Sequence, residues 1–321
     1  MHENSISFLE ILNRLCDQNQ PFPAKLLKYF SDLSSEQESM LAERWPQLEN
    51  SRKISLLEDL EDRSERDTLV DFTCTGKVAL KDEDEAVREA ALRLLWDCED
   101  KGFIHTFVNI LRTDASHRVR SVAASLLGRF VLLGETDELG IEDKTRVEEA
   151  LIESHQVDND KLVKRRALES LGYSGREEIS QLIHDAMSTK DTDWISSGLY
   201  AMGRSADTKW ADFILQYLQN PAPSIREEAV RAAGELQLNS TSEILLDMLE
   251  QEEDDDVKFA IIWALSQIGG EGVREALVKQ AEMIDDEEYL DFIEKALDNL
   301  DFNEELSHFD LIDIDSLDDT E

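Results

Sequence analysis

Proline and glycine are scarce in this chain, five and thirteen in 321 residues. Few positions therefore oblige a break, and no valine- or threonine-rich alternating run stands out, so sheets are excluded and long helices are expected. Cysteine is scarcer still. Cys16, Cys74 and Cys98 form no CxxC pair, which excludes a disulfide framework and suits a reducing compartment. No stretch approaches about 18 uninterrupted apolar residues, so no membrane span is expected. The start, MHENSISFLEILNRLC, carries an early acid and no long apolar run, unlike a secretory signal. The expected location is the cytoplasm. Positive charge is the last shortage: 33 Lys and Arg stand against 72 Asp and Glu, a net charge of −39. Such a surface repels phosphate backbones and anionic lipid, which argues against nucleic-acid or membrane partners.

What is present is a repeat. The segment 254–269, DDDVKFAIIWALSQIG, places Val257, Ile261, Ala264, Leu265 and Ile268 on one helix face. The same template recurs with its first core residue at Val87, Val119, Val163, Trp194, Ile225, Val257 and Tyr289. The steps are 32, 44, 31, 31, 32 and 32, the mark of stacked units that cannot bury their apolar faces alone. The 44-residue step contains residues 131–146, an insertion of about a dozen residues that reads most simply as a longer loop. Small residues such as Ala91, Ala123, Ala167, Gly198 and Ala229 follow four places after the core residue and favour close helix approach. Glycines 128, 172, 203 and 234, nine places on, suit a helix C-terminus. Asp84, Asp160, Asp191, Asp254 and Asp286, three places before, are positioned as N-caps. Amphipathic partner segments lie between the copies, so each unit is a helix pair.

Aspartate, Val-Arg, alanine and Leu-Gly in this register resemble HEAT repeats of the short PBS-lyase HEAT-like type. The matching residues include Val87-Arg88 with Ala91, and Val119-Arg120 with Ala123 and Leu127-Gly128. Further matches are Val163-Lys164 with Ala167 and Leu171-Gly172, and Ile225-Arg226 with Ala229 and Gly234. The resemblance implies an all-α, right-handed solenoid of about seven helix pairs over residues 67–300. Residues 1–66, which lack the repeat, read as an N-terminal helical cap or a separate docking module. Residues 301–321 alternate acids with Phe309, Leu311, Ile312, Ile314 and Leu317. They read as a disordered, solvating tail, or as a short motif that folds on a basic groove or back on the solenoid.

Sites for chemistry are missing from the sequence. No HxH, HExxH, GxxxxGK[ST] or GxGxxG stretch occurs. HEAT-like deoxyhypusine hydroxylase carries iron on repeated His-Glu dipeptides, and here only His2-Glu3 matches. HEAT-like DNA glycosylases depend on a basic groove that this chain lacks. GYSG at 172–175 lacks the spacing and the preceding strand of a nucleophile elbow. No cofactor, metal or catalytic residue is expected, and the histidines read as surface or interhelical residues. The acidic run 252–256 lacks EF-hand spacing.

What remains is surface. In HEAT solenoids the second helices line the concave face, so the resemblance places Tyr200, Arg231, Phe259 and Trp263 along one ridge. Aromatic and arginine side chains are the usual anchors of interfaces. Packing of Phe259 and Trp263 against a neighbouring unit is the competing reading. The arginine or lysine after the core residue (Arg88, Arg120, Lys164, Arg226, Lys258) is expected to pair with the aspartates before the next unit. The expected function is a non-enzymatic scaffold that binds a basic or amphipathic protein along the concave face. The alternative, implied by the family name, is a subunit acting on a bilin-bearing protein.

Overall fold

The computed structural model describes residues 6–283 and 285–314, with side chains through Asn303. Among them every regular element is a helix. The chain forms two compact units, residues 1–170 and 171–321.

The first unit opens with α1 (Phe8–Cys16) and α2 (Ser35–Arg44), each started by a capping box: Ser7 with Glu10, and Ser34 with Gln37. Between them, Ala24–Phe30 is a 3-10 helix. Pro23 fixes its entry and left-handed Asp32 (φ 53°) ends it. Three residues per turn suffice to bury Leu27 and Phe30 on one edge. The helix α3 (Asn50–Arg66) then packs directly on α5, the second helix of the first repeat.

That repeat pairs α4 (Thr73–Ala79) with α5 (Glu85–Leu94). A turn over 68–69 precedes it. The next pairs are α6 (Ile104–Thr113) with α7 (His117–Glu135), and α8 (Ile141–Val157) with α9 (Lys161–Leu171). Here the insertion at 131–146 corrects the expectation of a longer loop. Both flanking helices lengthen, to 19 and 17 residues, and leave only residues 136–140 between them. Phe130, Val131 and Leu133 continue the apolar stripe of α7 into the core, so burial carries the helix onward.

The second unit repeats the pair four times: α10 (Glu177–Met187) with α11 (Thr192–Arg204), α12 (Ala211–Tyr217) with α13 (Pro223–Glu235), α14 (Ser242–Gln251) with α15 (Asp255–Ile268), and α16 (Val273–Met283) with α17 (Glu287–Ile314). The second helices α11, α13, α15 and α17 pack side by side, whereas the first helices barely touch. Closer packing puts the second-helix layer on the inner side of the curve of this unit. The chain is thus an all-α solenoid of seven helix pairs among the described residues. The backbone of α17 stays helical to Ile314, past the boundary expected at 301. Residues 287–314 contain neither glycine nor proline to stop a helix. The remainder of the acidic tail, 315–321, lies outside the described residues.

The repeated glycines have another use than the one their position suggests. Gly203 and Gly234 sit inside α11 and α13, buried, with no positive φ. A Cβ on Gly203 would lie 3.0 Å from the Ala232 Cα, and one on Gly234 would lie 2.8 Å from the Ala264 Cα. They let neighbouring backbones touch. The left-handed residue after α13 is Gln237 (φ 47°). Around it Leu238 N–H donates to the Ala233 carbonyl and Gln237 N–H to the Gly234 carbonyl, a Schellman closure.

The five aspartates do cap their helices. Asp84, Asp160, Asp191, Asp254 and Asp286 accept the amides of Ala86, Leu162, Asp193, Val257 and Tyr289. The cation ladder, however, uses the acid two residues earlier. Arg88 grips Asp114 through two 2.8 Å bonds, Arg120 grips Asp158 at 2.8 and 2.9 Å, and Arg226 grips Glu252 at 2.8 and 2.7 Å. Each guanidinium also donates to two carbonyls of the loop before its own helix, as Arg88 does to Asp82 and Glu83. Each acid accepts the amide two residues on, as Asp114 does from Ser116. One arginine therefore ties two successive turns. Lys164 and Lys258 do not follow: Lys164 donates to the Gln156 carbonyl, and Lys258 pairs with Asp255 on its own helix. A single ammonium lacks the fork that spans both sets of acceptors. The acid position opposite Lys164 is also Thr189.

Candidate functional site

The inner face of the second unit carries the side chains singled out above. The structure divides them into two aromatic groups separated by a charged helix.

On α15, Phe259 and Trp263 stand four residues apart on the side away from the buried stripe of Val257, Ile261 and Leu265. The next second helix, α17, brings Tyr289 and Phe292 against them. Phe259 lies 4.6 Å from the Tyr289 ring and 5.0 Å, edge-on, from that of Phe292. Trp263 lies 6.4 Å from Phe292. Phe259 is the half-buried centre of this group, while Trp263 keeps 43% of its surface exposed. Packing of the pair on a neighbouring unit, raised from the sequence, therefore holds, yet it leaves the indole open. Burial, helped by the charge of Asp255, pushes the Tyr289 phenol above its ordinary pKa. Asp255, Asp256 and Asp291 surround the group as exposed carboxylates.

Tyr200 belongs to the other group. The Arg204 guanidinium lies 4.2 Å from the Tyr200 ring centre and 4.7 Å from that of Tyr173, and it donates to the Tyr200 hydroxyl. This stack is half-buried and polar at its edge. Arg231, on α13 between the two groups, is exposed and held by two bonds of 3.1 and 2.8 Å to one oxygen of Glu227 a turn earlier. The Glu235 carboxylate lies against Gly203 of α11. Burial pushes its pKa up, against the pull of Arg204 and Arg231.

Four participants were not singled out from the sequence: Tyr173, Arg204, Tyr289 and Phe292. Tyr289 occupies the first core position of the last repeat copy, and Phe292, three residues on, shares its face. Tyr173 lies in the GYSG turn, where no helical period marks a side. None of these groups forms a metal site. Among the described residues no cluster of three or more His, Cys, Asp or Glu is arranged to hold a metal ion. His184 packs on Trp210 and Phe213 with centroids at 5.0 and 5.2 Å, and the His155 Nδ1 lies 3.0 Å from the Lys164 carbonyl. No helix among the described residues is long and apolar enough to cross a membrane.

No curated protein matches the sequence. Among solved structures, one similar chain is YibA of Escherichia coli: 18% identity, TM-score 0.43, covering 86% of this chain and 96% of that one. Another is from the complex of CpcE and CpcF of phycocyanin lyase from Nostoc sp. PCC7120: 18% identity, TM-score 0.48, covering 71% and 93%. A third comes from a structure describing Kap95p binding to RanGDP: 14% identity, TM-score 0.41, covering 97% of this chain and 44% of that one. A family model described as HEAT repeats matches residues 197–266, from α11 through α13 to α15. That match spans the second helices of the inner face, so residues 197–266 are similar to HEAT repeats, and the same helix pair recurs on either side of them.

Proposed function

We propose that this protein is a non-enzymatic scaffold whose second-helix face in the unit 171–321 docks another protein. The open indole of Trp263, backed by Phe259, Tyr289 and Phe292, carries the reading. A half-exposed tryptophan on a rigid aromatic base loses little side-chain entropy on binding and offers a large apolar area, the usual anatomy of an interface anchor. Arg231 and the rim of Tyr200 supply hydrogen bonding beside it. The partner is a basic amphipathic segment: its apolar side covers Trp263, and its cations meet Asp255, Asp256 and Asp291.

The test is purification from native cells of the wild-type chain, of Trp263→Ala and of Trp263→Lys, each followed by mass spectrometry of what is retained. A partner present with wild type and lost with both variants, at unchanged helicity, supports the reading. A partner retained by Trp263→Lys overturns it, because a new cation at the anchor opposes both the apolar and the electrostatic contacts.

A further inference from the structure

A second surface has the opposite chemistry. Where α1 meets the 3-10 helix Ala24–Phe30, an open groove of about 630 Å³ is lined by Arg14, Lys25, Leu26, Lys28 and Tyr29, with Ile6 and Glu10 at its edge. In the repeats Arg88, Arg120 and Arg226 are each matched by a carboxylate. Here none of the three cations forms an ion pair among the described residues. Lys28 rests 5.2 Å from the centre of the Tyr29 ring. The one carboxylate in the groove, Glu10, is occupied by the amide and hydroxyl of Ser7. Residues 6–30 hold three Lys and Arg against two Asp and Glu, in a chain whose net charge is −39. The groove is thus an island of positive potential with a part-apolar floor, suited to a peptide that alternates carboxylates with aliphatic side chains.

Such a peptide ends the chain. Residues 304–321 carry eight Asp and Glu and no Lys or Arg, interspersed with Phe309, Leu311, Ile312, Ile314 and Leu317. We infer that the cap groove binds residues 304–321 of a second copy, joining copies head to tail. This inference is independent of the proposed scaffold function, since it uses neither Trp263 nor the aromatic side chains packed around it.

The experiment uses the full chain at low ionic strength. Sedimentation velocity over a hundredfold concentration range reads self-association, and fluorescence anisotropy reads binding of a labelled peptide of residues 304–321. Wild type is expected to gain mass with concentration and to bind the peptide. Both are expected to weaken about tenfold or more in Arg14→Glu/Lys25→Glu/Lys28→Glu and in high salt. A conservative variant with Lys25→Arg and Lys28→Arg is expected to retain both, which separates lost charge from lost fold. Equal peptide binding by wild type and the glutamate variant overturns the assignment of the groove. A wild-type chain that stays monomeric throughout overturns the second copy as the source.

Discussion

Two positions at the C-terminal end of α13, Gly234 in its last turn and Gln237 just beyond it, respond to substitution with opposite signs. A glycine inside a helix normally costs about 1 kcal/mol relative to alanine, so Gly234→Ala should stabilise if propensity decided the outcome. Packing decides otherwise. The added Cβ lies 2.8 Å from the Ala264 Cα and 3.0 Å from the Ala264 Cβ, against an ordinary carbon separation of about 3.5–4.0 Å. The obstacle is backbone, which cannot rotate aside, so α15 must retreat by roughly 0.5–1 Å. Overpacking of this kind costs about 1–3 kcal/mol, which offsets or exceeds the propensity gain and leaves a net loss of up to about 2 kcal/mol. Three residues on, Gln237 holds the left-handed position of the Schellman closure with φ 47°. A side chain there costs about 1 kcal/mol, so Gln237→Gly should stabilise by about that amount.

Urea unfolding followed by helical circular dichroism reads both. Stacked repeats need not unfold in one step, so the comparison is of midpoints for the transition that reports α11 to α17. The midpoint is expected to fall in Gly234→Ala and rise in Gln237→Gly. A rise in Gly234→Ala would refute the close approach of α13 and α15 as the reason for the glycine.

Other expectations follow from the same contacts. Arg120→Met leaves Asp158, nearly buried, without its guanidinium and should cost about 2–3 kcal/mol, with most of that recovered when Asp158→Asn is added in a double-mutant cycle. Burial works to raise the carboxyl pKa of Asp82, Asp114 and Asp158, but their cationic partners and turn amides outweigh it and hold each below the ordinary range, while hydrogen bonding from Arg226 does the same for Glu252. Because these folded-state values are depressed, their stabilisation is full above about pH 4 and is lost as pH falls through them, so acid titration of thermal midpoints should show a steeper fall in wild type than in Arg120→Met/Asp158→Asn. Leu133→Ala, in the helical part of the insertion, should cost about 2–3 kcal/mol, a loss that a solvated loop would not show. Trp263→Ala should change stability by only about 1 kcal/mol, since the indole is half exposed, while removing the proposed partner contact.

The repeat was legible because a helix face repeats in sequence at the spacing that it repeats in space. The N-caps were legible for the same reason, since a cap lies a fixed number of residues before the core stripe. Features that depend on a neighbouring unit were less so. The acids gripped by Arg88, Arg120 and Arg226 lie 26, 38 and 26 residues downstream. Opposite Arg120 the sequence offers two carboxylates, Asp158 and Asp160, with nothing in the helical period to say which one caps and which one pairs. The insertion misled because an added segment between two helices reads as loop when length alone is counted. Its apolar residues had to be followed in the phase of α7 to show that the helix continues.

The division of labour along the inner face also follows from where contacts are made. The side chains read as one ridge share offsets from the core residue, and those offsets fix direction only relative to each helix. Whether two such residues meet depends on what the next helix presents. At α15 the next helix presents Tyr289 and Phe292, so Phe259 becomes the base of a cluster and only Trp263 stays open. At α11 the neighbour is a glutamate-bearing helix, and Tyr200 is taken instead by Arg204 from its own helix. Equal positions in a repeat therefore acquire unequal roles, and the residue left without a complete shell is the one available to a partner. Replacing Phe292 with alanine tests this directly: it removes the support of Trp263 without touching the exposed indole. Partner affinity should fall in Phe292→Ala because the anchor is no longer held in place. Unchanged affinity would mean that Trp263 binds as an isolated side chain and that the aromatic base serves stability alone.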